Sequence, residues 1–194
     1  VSYKEARLRR LNGARLAAGG DYVLYWMQSF RRLERNHALD YALRCATELG
    51  RPLVVYEGLR LDYPWASLRL HRFLLEGMQA NAARAKSLGL AYWPFVERAK
   101  DEGRGLLRRL SARAALVVTD DFPGFIAPAQ SAALARAAEV PVYAVDSNGV
   151  VPLSLLGAPV GAAAHLRPRL HKAFAEAWQH RAAPRPRVPD VARR

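Results

Sequence analysis

The spacing of hydrophobic positions changes repeatedly along this chain, and each change marks an element. Tyr22-Val23-Leu24-Tyr25-Trp26 is an unbroken apolar run entered through Gly19-Gly20-Asp21. A run of this length, bounded by turn residues, predicts a strand covered on both faces. An arginine-rich turn follows. From Asn36 onward the period lengthens: Leu39, Ala42, Leu43, Ala46 and Leu49 recur at three- and four-residue steps, the single stripe of an amphipathic helix. Gly50 is placed to close that helix in a left-handed turn, and Pro52 cannot continue it.

The alternation then repeats. Leu53-Val54-Val55-Tyr56 reads as a second strand, residues 57–65 as a loop, and Ser67 as the cap of a helix reaching Leu88. Leu70, Phe73, Leu74, Gly77 and Met78 form the expected inner face of that helix. A glycine in a helix interior costs about 1 kcal/mol relative to alanine, so close approach of the helix to the sheet is expected at Gly77. A third strand ends at Val96, a charged loop covers 97–105, and a short helix covers 106–110. Ala115 to Thr119 is a fourth strand with Asp120-Asp121 at its carboxyl end. Pro128 opens a helix to about Ala138, and Val140 to Val145 is a fifth strand. Leu170, Phe174 and Trp178 share one side of a last helix.

Strands alternating with helices predict an α/β fold: a Rossmann-like open parallel five-stranded sheet with helices on both faces. The strands fall near 22–26, 53–57, 91–96, 115–119 and 141–145, in the expected order 3-2-1-4-5 counted from the strand at 22–26. The chain divides into a basic N-terminal arm (1–20), an α/β domain (21–165), a terminal helix (166–180) and a Pro/Arg-rich linker or disordered tail (181–194).

Composition narrows the picture. A chain of 194 residues is one ordinary domain. The single cysteine, Cys45, lies in a helical pattern, so a reducing, cytoplasmic compartment is expected. No stretch of 18 apolar residues is present, so no membrane span is expected, and the N-terminus lacks a signal-peptide core. The net charge of +13 has two readings: contact with a polyanion such as DNA, or an Arg/Ala-rich coding bias.

The five histidines, His37, His71, His165, His171 and His180, make no zinc spacing with cysteine and no His-Glu-x-x-His. No Gly-x-Ser-x-Gly elbow occurs. Gly103-Arg104-Gly105 lacks the Gly-Lys-Ser/Thr ending of a P-loop. No catalytic or metal-ligating residue is therefore assigned. A ligand is expected at the carboxyl ends of the first and fourth strands, where strand order reverses. There Trp26 and Met27 supply an apolar wall, and Gln28, Asn36 and Asp120 supply polar contacts, the mixture that suits a planar ligand. Asp120 and Asp121 are open to a second use, as a cap or turn.

Four stretches carry a family resemblance. They are Tyr25-Trp26-Met27-Gln28 with the following Arg-rich turn and Asn36-His37-Ala38-Leu39; Asp62 to Met78; Ala115 to Asp121; and Val145 to Leu153. Together they resemble the N-terminal α/β part of the class II deoxyribodipyrimidine photolyases, over roughly residues 8 to 180. The resemblance implies a domain from a light-driven lyase that repairs cyclobutane pyrimidine dimers in DNA. In that family a C-terminal helical domain binds FAD and the dimer, and the α/β domain of many members holds a deazaflavin or folate antenna. Positions matching the FAD site are missing from this chain, so it is expected to be inactive by itself, with the C-terminal FAD domain and DNA as the implied partners. The alternatives are a non-enzymatic nucleotide-binding or signalling domain, for which a glycine-rich phosphate loop is lacking, and a basic nucleic-acid-binding module.

Overall fold

The computed structural model describes residues 5–193. Its centre is a six-stranded, mostly parallel sheet formed by β1 (Leu8–Arg10), β2 (Tyr22–Met27), β3 (Leu53–Leu59), β4 (Ala91–Val96), β5 (Ala114–Asp120) and β6 (Val142–Val145). The strand order is β1-β6-β5-β2-β3-β4. Five helices accompany the strands: α1 (His37–Leu49), α2 (Leu68–Leu88), α3 (Leu106–Arg113), α4 (Ala127–Ala137) and α5 (Ala163–Gln179).

The sheet has six strands rather than the expected five. The additional strand, β1, comes from the segment expected to be a basic N-terminal arm, and it pairs antiparallel with β6, Leu8 opposite Val145. Two side chains fasten this segment. The Arg7 guanidinium is buried and donates to the carbonyls of Asp146 and Val150. Asn12 Nδ2 donates to the Val140 carbonyl at 3.0 Å, while its Oδ1 accepts from Val142 N at 3.1 Å. A three-residue edge strand carrying Arg9 and Arg10 also discourages further edge pairing. Residues 1–4 of the expected arm lie outside the described residues.

Period-two alternation in β2 sorts the core into two layers. Val23, Tyr25 and Met27 pack with Leu39, Ala42 and Ala46 of α1 on one face. Leu24 and Trp26 pack with Leu110 of α3 and Leu134 of α4 on the other. Every residue of β5 is buried, as a central parallel strand covered on both faces should be.

Helix ends follow their chemistry. Asn36 caps α1, its Oδ1 accepting from Ala38 N and Leu39 N, and Gly50 closes the helix at φ 62°. Ser67 caps α2, and Gly89 closes it at φ 70°. The expected inner face of α2 is corrected, however. Leu68 and Phe73 are 86% and 70% exposed, and the buried residues are Met78, Asn81 and Ala85. Only the second half of α2 packs against the sheet side. A Cβ added at Gly77 meets nothing within 4 Å, so close helix–sheet approach is not what occupies that position.

Of the stretch 181–194, expected as a linker or disordered tail, the described residues, to Arg193, include contacts with the α1 region. Arg35 N donates to the Ala183 carbonyl at 3.0 Å, and Ala192 is fully buried beside the α1 layer. Arg194 lies outside the described residues.

Candidate functional site

The turn between β2 and α1 is held by one carboxylate. Asp120, at the end of β5, is 1% exposed. Its Oδ2 accepts the backbone N–H groups of Gln28, Ser29 and Phe30 at 3.0, 2.8 and 2.9 Å. Its Oδ1 accepts the Tyr25 hydroxyl at 2.8 Å. Burial pushes the Asp120 carboxyl above its ordinary value, against the pull of these donors. Burial likewise pushes the Tyr25 phenol well up, with the neighbouring Asp120 charge second. Asn36 Nδ2 completes the arrangement, donating to the Tyr25 oxygen at 2.9 Å and to two carbonyls of the same turn.

Arg31 fastens the turn on its other side. Its Nε donates to the Gln28 carbonyl, one terminal nitrogen to Glu57 Oε1 at 3.1 Å and the other to the Gly58 carbonyl at 2.9 Å. Glu57 is fully buried, and its second oxygen accepts from Asn81 of α2 at 2.9 Å and from the Tyr92 hydroxyl at 2.6 Å. Burial first, and this contact with Glu57 second, push the Tyr92 phenol well up. Sequence reasoning missed this network. The one signal was a glutamate following directly on the apolar run of β3.

Beside this turn lies a cavity of about 760 Å³ on the α3/α4 side of the sheet. Trp26, Tyr56 and Phe95 of three adjacent strands form its floor, Leu107 and Leu134 its helical wall, and Phe122 and Phe125 its rim. The size and the aromatic lining match the usual range of small-molecule sites. The Tyr56 phenol is pushed up to about 12, chiefly by burial.

The five residues expected at the ligand divide between the two faces. Trp26 and Gln28 line the cavity. Met27 is fully buried in the α1 layer, because neighbouring residues of a strand point to opposite faces. Asn36 is spent on capping α1 and on the Tyr25 hydroxyl, and Asp120 on the turn. The structure therefore does not bring Met27, Asn36 or Asp120 to the cavity.

Gln28 carries the feature most relevant to a ligand. Thr119 Oγ1 donates to the Trp26 carbonyl at 3.0 Å, so it must accept from Gln28 Nε2, which lies 2.7 Å away. Nε2 also reaches Ser131 Oγ at 2.9 Å. With Nε2 so placed, Oε1 is buried without a hydrogen-bond partner. The Tyr63 hydroxyl, on another wall of the same cavity, is also buried and unpartnered. Buried groups without partners carry a desolvation penalty.

Among the described residues no cluster of three or more His, Cys, Asp or Glu is arranged to hold a metal ion. None of the described helices is long and apolar enough to cross a membrane.

No protein-family model matches the chain. It is 37% identical over 147 residues to the deoxyribodipyrimidine photo-lyase of Methanothermobacter thermautotrophicus (strain Delta H), a match covering 76% of this chain and 32% of that relative. The chain thus spans about a third of the length of the curated relative. Among solved structures, a protein of the universal stress protein family from Burkholderia pseudomallei is similar at 24% identity and a TM-score of 0.38, covering 68% of this chain and 96% of that one.

Proposed function

We propose, from the membership of the photolyase family that the 37% identity over 147 residues supports, that this chain is the α/β domain of a class II-type deoxyribodipyrimidine photolyase and binds a planar antenna pigment. The observation that carries the pigment reading is the cavity over Trp26, with its aromatic floor and the unpartnered Gln28 Oε1 beside it. The residues fit a deazaflavin- or folate-type heterocycle. Trp26, Tyr56 and Phe95 offer flat apolar contact, and Gln28 and Tyr63 are among the polar residues of the lining.

When bound, such a pigment absorbs light and passes the excitation to a flavin. The residues of this chain bind and orient it. Trp26 is held by the sheet, Gln28 by Thr119 and Ser131, and the whole turn by Asp120 and Arg31. A rigid seat matters because excitation transfer depends on orientation as well as distance. Dimer splitting itself is assigned to an FAD-binding helical domain acting on DNA, and no residue of this chain is given a catalytic role.

Titration with a deazaflavin tests the reading. Wild-type protein is expected to give a saturable fluorescence change that Trp26→Ala weakens at least about tenfold, as expected for losing a large stacked aromatic. Equal, unsaturable changes in both proteins would contradict it.

A further inference from the structure

The polar residues at the cavity mouth are not electrically balanced. Arg31, Arg60, Arg104 and Arg108 line the cavity, with Glu97 and Asp101 among them. Two of the arginines are committed: Arg31 to Glu57 at 3.1 Å, and Arg60 to Asp62 at 2.8 Å. Glu97 is committed as well, but to backbone. It is 3% exposed, its Oε1 accepts Gly103 N at 3.1 Å, and its Oε2 accepts Leu61 N at 3.0 Å. Arg104 and Arg108 make no ion pair or side-chain hydrogen bond among the described residues, and Asp101 is the one uncommitted carboxylate facing them.

Glu97 also sets where Arg104 stands. A Cβ on Gly103 would lie 2.9 Å from Phe95 and 3.1 Å from Glu97 Oε1, so only glycine lets the loop sit this close to the cavity wall. A buried carboxylate thus draws the Gly103-Arg104-Gly105 loop onto the rim by its backbone and leaves the Arg104 guanidinium unneutralised. Forked guanidinium groups are suited to phosphate or carboxylate oxygens.

We infer that Arg104 and Arg108 form an anion subsite at the cavity mouth, so that the preferred ligand is a planar heterocycle bearing a phosphate or carboxylate on its side chain. This rests on the reading of the cavity as a planar-ligand site and adds the chemistry of the ligand's outer end. Gly103-Arg104-Gly105, which is not a P-loop in sequence, then contributes its arginine rather than a backbone cradle.

Riboflavin and riboflavin 5′-phosphate test this, because they share a three-ring system and a ribityl chain and differ in one phosphate. Both are titrated by fluorescence into wild-type protein and into Arg104→Ala/Arg108→Ala. The wild type is expected to bind the phosphate ester roughly tenfold more tightly, the scale of charge-assisted hydrogen bonds. The double variant is expected to bind the two equally, with riboflavin affinity unchanged. Riboflavin affinity alone reads the ring site, and the ratio alone reads the arginines. Equal affinities in the wild type, or a phosphate preference that survives in the double variant, would overturn the subsite and leave the ring site standing. Binding of neither compound would overturn both.

Discussion

Asp120 is a fastener of the turn beside the cavity, and its four donors explain why its position suggested a contact. A carboxylate at a strand end near the sheet reversal is where ligand groups are often found, but here three backbone N–H groups reach it first. No local pattern in the sequence shows how a turn folds back on a distant strand. Trp26 and Met27 were legible as strand-end residues; that they part to opposite faces follows from the alternation within β2. Asp120→Asn is expected to lower stability by roughly 1–3 kcal/mol in denaturant unfolding. A neutral Oδ1 turned to the three N–H groups leaves Nδ2 facing the Tyr25 hydroxyl, which already accepts from Asn36. Unchanged stability would show that the turn does not depend on this carboxylate.

His37, the first residue of α1, has its imidazole pushed down to about 4, mainly by burial and next by the Arg7 charge. The helix N-terminus disfavours the cation in the same sense. An unfolded histidine titrates near 6.5, so between about 4 and 6.5 the unfolded chain binds the extra proton. The stability tied to neutral His37 is complete above that window and is lost as pH falls through it. The Tm should therefore drop between pH 7 and pH 5, above most carboxylate titration, and His37→Gln should flatten that drop. An identical pH profile in the variant would remove His37 from the account.

At the scale of elements, period and caps were the legible part. The strand-to-helix alternation, the Asn36 and Ser67 caps and the Gly50 and Gly89 stops stand in the structure as the sequence suggests. Two elements were hidden for physical reasons. β1 is three residues long with two arginines, too short and too polar to show a strand period, and its pairing depends on Arg7 and Asn12 reaching carbonyls over a hundred positions away. In α2 the apolar spacing of Leu70, Phe73 and Leu74 suggests burial that those positions lack, while the buried anchor includes the polar Asn81, which donates to Glu57 and to the Arg31 carbonyl, both distant in sequence. Gly77 then has no packing reason to be glycine. Gly77→Ala is expected to raise stability by about 1 kcal/mol, because alanine restricts the unfolded chain and no neighbour lies within 4 Å of its Cβ. A loss of stability in thermal unfolding would mean that α2 is packed more closely there than the structure shows.

For the whole molecule, 30 Lys+Arg against 17 Asp+Glu leave a net charge of +13, and two arginines that join none of the ion pairs among the described residues stand at the cavity. The sheet places aromatic side chains on the α3/α4 side, the Asp120 and Arg31 contacts fix the turn above them, and the cavity lies between. The central claim is that this rigid cavity immobilises a planar pigment. Polarised fluorescence of a deazaflavin added at substoichiometric amounts measures that directly. The emission should depolarise at the tumbling rate of the 21.6 kDa protein, with no fast component from a loosely held ring. Depolarisation at the rate of the free pigment would contradict the claim.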